Sequence, residues 1–250
     1  MTPPAMGSTR IFIISWPGQH EKAADIARRL GGADRRIAIV YSDPNPDFTV
    51  PADCELIRRP NDLFWEDKFK ACLDACGDDP MLVIHADCEC ADWPGLVAAH
   101  ARAVAEFADI GVWAPAISGT PYGPDVVEVA RLGDSPLTFA ALTDGLVFAL
   151  SPAVLKRMRE VRYGSNRFGW GIDVLFCVAA YALRKWVVVD RSVQVAHQPG
   201  RGYNSAEARE GMYRFLSQLE TMEAVQWALL QGYIRYKYRQ AGQAENPALR

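Results

Sequence analysis

An acidic loop after an apolar run is the first place where this sequence could do chemistry. Residues 81–85 are apolar and end at His85, and Asp87-Cys88-Glu89 follows directly. Two carboxylates one residue apart can both face one hard cation, and Mg²⁺ and Mn²⁺ favour oxygen ligands of this kind. The alternative is a solvated acidic turn in which Asp92 caps the next helix. The spacing leaves both interpretations open.

Cysteines around this loop raise the question of a zinc site. His85, Cys88 and Cys90 lie close together in the sequence. A zinc site needs about four ligands, usually supplied by two separated clusters. Cys72 and Cys76 do not have the spacing of such a second cluster. We therefore reject the zinc site and interpret these cysteines as buried thiols.

A glycine-rich segment around a tryptophan is the second candidate. Gly169 and Gly171 flank Trp170, and Asp173 follows at the expected start of a helix. Glycines let a backbone approach a ligand closely, and a tryptophan offers an apolar face to a sugar ring. The helix dipole favours the anionic form of Asp173, which can then act as a general base. The alternative role of Asp173 is a plain helix N-cap.

The third candidate is a histidine that precedes a glycine-rich loop. His197 follows an apolar stretch, and Arg201 and Tyr203 lie in the loop. An imidazole near a carboxylate pair can complete a metal site, although a lone histidine after a strand more often packs or hydrogen-bonds. Arg201 and Tyr203 could contact phosphates, or could be surface residues.

Strands and helices must place these three segments together. The runs that predict strands lie at residues 10–15, 36–41, 81–85, 111–115, 145–150 and 186–190. Segments with helical spacing lie between the strand runs in the first half of the chain. This alternation of strand and helix predicts a parallel, doubly wound sheet. Residues 193–196 are expected to form a further strand. Residues 206–239 have helical spacing throughout.

Composition excludes several classes of protein. The chain has 250 residues, 50% of them hydrophobic, and a net charge of -3. This charge lacks the basic surplus of nucleic-acid-binding proteins. No apolar run reaches the ~20 residues that cross a bilayer, and no signal peptide is visible. The six cysteines lack disulfide-rich spacing, so we expect reduced thiols and a cytoplasmic location.

Together the three segments resemble a GT-A glycosyltransferase over about residues 10–204. Asp87-Cys88-Glu89 stands where that family has its Asp-x-Asp metal motif, with Glu89 in place of the second Asp. The segment from Gly169 to Asp173 is similar to the Gly-Trp-Gly acceptor loop of galactosyltransferase-like members. His197 stands where a metal-binding histidine follows. The resemblance implies a single-domain α/β fold, Rossmann-like, with a mixed, mainly parallel sheet flanked by helices.

The resemblance also implies a division of the chain. One GT-A domain is expected over residues 10–240, after a flexible N-terminus at 1–9 and before a tail at 241–250. Within the domain, the expected parts are a nucleotide-binding half at 10–110, an acceptor half at 111–204 and a C-terminal helical segment at 205–240.

The activity that the resemblance implies is transfer of a sugar from a nucleotide-sugar donor, a UDP- or GDP-sugar, to a hydroxyl of a glycan or other acceptor. Asp87, Glu89 and His197 are expected to hold Mn²⁺ or Mg²⁺, which neutralises charge on the leaving diphosphate. Asp173 is expected to deprotonate the acceptor, which implies inversion at the anomeric carbon. A role in polysaccharide biosynthesis is expected.

The resemblance also implies which side chains bind the substrates. On the donor side, Trp16 is expected to stack on the base and Asp43 to accept from it, while Asp87 and Arg201 serve the phosphates. The acceptor side is expected to comprise Trp170, Gly171 and Asp144. Turn chemistry is the alternative role of Trp16, Asp43 and Asp144.

Other functions stay open at this stage. A nucleotidyltransferase would also combine an α/β sheet with metal-binding acids, but residues 16–20 lack its basic phosphate loop. A non-catalytic carbohydrate- or nucleotide-binding protein with a decayed transferase fold is the other alternative. Arg235, Lys237 and Arg239, interleaved with tyrosines, could contact a membrane surface. We favour a solvated helix face for them.

Overall fold

A computed structural model of the chain describes residues 9–31, 35–42, 50–120, 122–198 and 203–242. Two predicted donor-binding residues, Asp43 and Arg201, lie outside these ranges. The N-terminus at 1–8 and the tail after 242 lie outside them as well, so the predictions made for them stay predictions.

One mixed sheet forms the centre of the described structure. Its ten strands are β1 (Arg10–Ile14), β2 (Ile37–Tyr41), β3 (Cys54–Arg58), β4 (Met81–His85), β5 (Cys88–Cys90), β6 (Ile110–Ser118), β7 (Glu128–Arg131), β8 (Leu137–Ala140), β9 (Val147–Leu150) and β10 (Trp186–His197). Their order is β3-β2-β1-β4-β9-β6-β10-β8-β7, and β5 pairs with β10.

Helices cover both faces of this sheet. They are α1 (His20–Leu30), α2 (Trp65–Cys76), α3 (Trp93–Glu106), α4 (Pro124–Val127), α5 (Pro152–Arg159), α6 (Ile172–Ala182), α7 (Ser205–Leu216) and α8 (Thr221–Gln240). None of the helices in the described ranges is both long enough and apolar enough to cross a membrane.

The strands mostly run in one direction, as expected. β3, β2, β1 and β4 are parallel neighbours, and β6 pairs in parallel with β10. β9 is antiparallel to both β4 and β6, so β6 runs in the direction of β4. The predicted single-domain α/β fold is therefore confirmed.

Alternating apolar residues divide the core between the two faces of the sheet. In β1, Phe12 and Ile14 join the core on the side of α2 and α6, whereas Ile11 and Ile13 join the core beneath α1 and α3. These strand residues are almost fully buried. Because these strands are buried on both faces, they appear in the sequence as continuous apolar runs.

The C-terminal part of the chain differs from the prediction. The helical spacing over 206–239 is divided into α7 and α8, because a new helix start intervenes after Leu216. The Glu220 and Glu223 side chains form a reciprocal capping box there, with the Glu220 backbone N–H donating to Glu223 Oε2 at 2.8 Å. Residues 193–196 are the end of the long strand β10.

Candidate active site

A cavity of about 560 Å³ opens at the edge of the sheet where β1, β4, β6 and β10 end. Such an edge is the usual ligand site of an open α/β sheet. Antiparallel β9 begins at the same edge, and α6 directs its N-terminus there. The predicted site residues that line the cavity are Trp16, Asp87, Asp144, Trp170, Gly171, Asp173 and His197.

Strand pairing brings Asp87 and His197 together. β5 pairs antiparallel with the end of β10, and His197 lies opposite Cys88 in that register. His197 Nε2 consequently lies 3.5 Å from Asp87 Oδ2. Burial acts to raise the pKa of Asp87, but the interaction with His197 outweighs it and the pKa is lowered. The same interaction raises the pKa of His197. Each member of the pair therefore favours the charged form of the other.

The Asp87–His197 pair offers part of a metal site. Asp87 Oδ1 is buried and has no hydrogen-bond partner among the described residues. A carboxylate and an imidazole suit Mn²⁺ or Mg²⁺, which take further oxygen ligands from substrate phosphates. The described part of the chain brings no three metal-ligating side chains together. The residues present fit a cation that is bound together with a phosphate ligand.

Glu89 is the predicted metal ligand that the structure does not bring to the cavity. It is the exposed middle residue of β5, between buried Cys88 and Cys90, and it does not line the cavity. Successive strand residues point to opposite faces, so the pairing of β5 with β10 separates Glu89 from its neighbours. The role of Glu89 as a ligand stays a prediction, and this placement counts against it.

Asp173 lies in the first turn of α6, facing the cavity. The N-cap of α6 is Gly171, so the alternative N-cap role does not describe Asp173. Its Oδ1 accepts from the Val174 backbone N–H at 2.9 Å. Burial, together with the charge of Asp144, raises the pKa of Asp173 to about 7. A carboxyl group with this pKa can gain and lose a proton at neutral pH, as a general base must.

The two glycines beside Trp170 serve packing between elements. Gly169 has φ 71°, and a Cβ there would lie 2.3 Å from Trp65 Cε3. Gly171 has φ 86°, and a Cβ there would lie 2.9 Å from Met212 Cγ. Both positions require glycine. Close approach to another side chain thus accounts for both glycines, and both also line the cavity, so the acceptor contact of Gly171 stays a prediction.

A buried carboxylate on α2 fixes the loop that carries Trp170. Glu66, only 3% exposed, accepts from the backbone N–H groups of Gly164 and Asn166 at 2.8 and 3.2 Å. Asn166 Nδ2 then donates to the Trp170 carbonyl at 2.7 Å. Trp170 Nε1 donates to the Tyr203 hydroxyl at 2.9 Å. Trp170 is held at both its backbone and its ring.

Several cavity residues were not predicted as site residues. They include Phe64, Trp65, Lys68, His85 and Tyr122. His85 accepts a hydrogen bond from Trp65 Nε1, and burial lowers its pKa to about 4, so it is neutral at pH 7. Its ring lies edge-on to Trp16, with centroids 5.7 Å apart. The sequence signal was the position of His85 at the end of a buried strand.

Asp144 lines the cavity and is bonded to the segment that follows β6. The Thr120 hydroxyl donates to Asp144 Oδ2. The Tyr122 backbone N–H donates to that same Thr120 hydroxyl at 3.1 Å. These contacts hold Asp144, whose charge helps to raise the pKa of Asp173.

Comparison with known proteins gives structural neighbours alone. No protein-family model matches the chain, and no curated protein matches it. Similarity is found with solved structures. GalNAc-T7, solved with UDP, GalNAc and Mn²⁺, is similar with a TM-score of 0.59 and 12% identity, over 95% of this chain and 51% of that chain. This chain thus spans about half the length of GalNAc-T7.

Two further structures are comparably similar. The mannosyltransferase PcManGT from Pyrobaculum calidifontis, in complex with GDP-Man and Mn²⁺, aligns with a TM-score of 0.54 and 12% identity, over 96% of this chain and 77% of that chain. S. aureus TarS, residues 1–349, aligns with a TM-score of 0.53 and 12% identity, over 91% of this chain and 80% of that chain. The chain therefore has the GT-A fold of these glycosyltransferases.

Proposed function

We propose that this chain is a metal-assisted glycosyltransferase that moves a sugar from a UDP- or GDP-sugar to a hydroxyl acceptor. One observation carries the proposal: a single cavity holds the Asp87–His197 pair, the aromatic ring of Trp16 and the carboxyl group of Asp173. Neighbours of the same fold are complexed with UDP or GDP-Man and with Mn²⁺, which supports the class of donor.

The donor binds on the side of β1 and β4. Trp16 offers an aromatic ring for the nucleobase. Asp87 and His197 would hold Mn²⁺ or Mg²⁺, and the bound cation would neutralise charge on the diphosphate. Asp43 and Arg201 remain proposed donor contacts from the sequence. With the donor bound in this way, the anomeric carbon would lie in the cavity and the nucleoside diphosphate would be the leaving group.

The acceptor binds on the side of α6. Trp170 provides a flat apolar face for a sugar ring, and Asp144 accepts from its hydroxyl groups. Asp173 removes the proton from the attacking hydroxyl, whose oxygen bonds to the anomeric carbon as the bond to the diphosphate oxygen breaks. One base, with no second carboxylate acting as nucleophile, gives inversion of configuration.

A transfer assay with anomer analysis tests this proposal. UDP- and GDP-sugars are incubated with Mn²⁺ and a panel of glycan acceptors, and the product linkage is determined by NMR. We expect acceptor-dependent release of the nucleoside diphosphate and a product of opposite anomeric configuration. A product with retained configuration would contradict the base role of Asp173. Transfer of a nucleotidyl group instead of a sugar would contradict the proposed function itself.

A further inference from the structure

Lys68, on α2, is a charged residue of the cavity wall that the mechanism above does not use. Only 1% of its surface is exposed, although it lines the cavity. Its Nζ lies 3.9 Å from the centre of the Trp16 ring. Among the described residues its ammonium has no hydrogen-bond or ion-pair partner. Burial lowers the pKa of Lys68 to about 8, so the protonated form still predominates at pH 7.

The acids next to Lys68 are already engaged elsewhere. The carboxylate of Glu66 accepts from backbone N–H groups of the loop at 164–166. Asp67 forms a two-pronged ion pair with Arg59, with N–O distances of 2.5 and 2.7 Å. These contacts leave the charge of Lys68 without a direct counterion on its own helix. A buried ammonium of this kind destabilises the fold unless an anion joins it.

We propose that Lys68 binds the diphosphate of the nucleotide donor. The inference rests on the proposed function, and it adds a contact that is independent of metal. Trp16, over which the ammonium lies, is the proposed platform for the nucleobase of the same donor. The positive charge also stabilises the diphosphate as it leaves the anomeric carbon.

Nucleotide binding by calorimetry tests this contact. UDP, GDP, uridine and guanosine are titrated in EDTA and in Mn²⁺ into the parent protein, Lys68→Met, Lys68→Arg and the control Lys70→Met. Lys70 lies on the same helix but is paired with Asp74 at 2.6 Å. In EDTA, we expect Lys68→Met to weaken diphosphate binding about 10- to 100-fold and to leave nucleoside binding unchanged. Lys68→Arg should retain most of the affinity, and Lys70→Met all of it.

Melting temperature separates a binding role from a packing role. Without nucleotide, Lys68→Met should melt at the parent temperature or above it, because the substitution removes a buried unpaired charge. Unchanged diphosphate affinity in Lys68→Met would overturn the inference, and a lower melting temperature beside it would assign Lys68 to packing over Trp16. If no nucleotide binds the parent protein, the proposed function fails as well.

Discussion

The environment of Asp173 determines what this residue can do. Its carboxyl group lies in the cavity with Asp144 nearby, and its pKa is raised to about 7. Ordinary Asp has a pKa near 3.9 and is a weak base. A buried carboxylate with a like charge beside it binds a proton much more readily. The position in the first turn of α6 keeps the group fixed while it does so.

Substituting Asp173 by Asn should separate binding from chemistry. Asn has the same size but cannot take the acceptor proton, so transfer should fall by about 10²–10⁴-fold while nucleotide affinity is unchanged. Rate assays and calorimetry on the same preparation check this. The control is Asp92→Asn, which replaces an N-cap outside the cavity with another good capping residue. Transfer by Asp173→Asn at the parent rate would remove Asp173 from the mechanism.

The raised pKa of Asp173 predicts a pH dependence with a definite sign. The ionised form is the base, so transfer should rise with pH through a midpoint near pH 7. A folded-state pKa above the unfolded value stabilises the protein at low pH, and this stabilisation is lost as pH rises through about 7. Asp173→Asn should therefore gain melting temperature relative to the parent as pH increases from 5 to 8. A gain that shrinks over this range would contradict the raised pKa.

One cavity residue, Lys68, was not predicted, although the sequence holds a signal for it. Lys68 lies at the same helical face as Trp65, Phe69, Cys72 and Cys76, so a lysine within an apolar stripe was its signal. Glu89 illustrates the opposite problem. The Asp-x-Glu spacing placed it beside Asp87, but the short strand β5 directs it away. That pairing depends on residues about a hundred positions later in β10, which local spacing does not show.

At the scale of elements, α2 and the loop after α5 form one unit. Glu66 holds the loop at Gly164 and Asn166, and Asn166 holds Trp170. Gly169 lets the loop pack directly against Trp65 of the same helix. Any change in this contact should move the acceptor side of the cavity and leave the Asp87–His197 pair in place.

Asn166→Ala tests this arrangement. Loss of the bond to the Trp170 carbonyl should cost about 0.5–1.5 kcal/mol of stability. The Trp170 ring should then be less well placed, so the acceptor KM should rise while nucleotide affinity is unchanged. Ser165→Ala, at the exposed neighbouring position, is the matched control. Equal losses of acceptor and nucleotide binding would contradict a local role for the loop.

Elements were predictable where one pattern was strong. The strands β1, β2 and β4 and the helices between them follow from apolar runs and helical spacing. β3, β5, β7 and β8 were missed, because β3 and β7 are only partly buried and β5 and β8 are short, with three and four residues. Their pairing with neighbouring strands, rather than their own composition, makes them strands.

At the scale of the molecule, the sheet brings distant segments to one edge. Asp87 follows β4, His197 ends β10 and Asp173 begins the helix before β10, and all three meet in the cavity. The order of these segments was readable from the sequence, and so was the fold. Their distances depend on β9, which was predicted as a strand at 145–150, but whose antiparallel position between β4 and β6 was not predicted.

Metal dependence should follow this geometry. Asp87→Asn and His197→Ala should each weaken Mn²⁺-dependent nucleotide binding, because Asp87 and His197 are the paired groups in the cavity. Glu89→Gln, two residues from Asp87 but exposed, is the matched control and should bind as the parent does. Calorimetry in Mn²⁺ and in EDTA checks all three. Loss of binding in Glu89→Gln equal to that in Asp87→Asn would restore Glu89 as a ligand.

The most direct test of the whole proposal is a binding screen of UDP- and GDP-sugars, with Mn²⁺ and with EDTA, on the parent protein and Asp87→Asn. We predict that at least one nucleotide sugar binds, more tightly in Mn²⁺ than in EDTA, and that Asp87→Asn removes most of this difference. A parent protein that binds no nucleotide sugar would contradict the assignment of this cavity as a metal-assisted donor site. Equal affinity in Mn²⁺ and in EDTA, or an unchanged Mn²⁺ effect in Asp87→Asn, would contradict it as well.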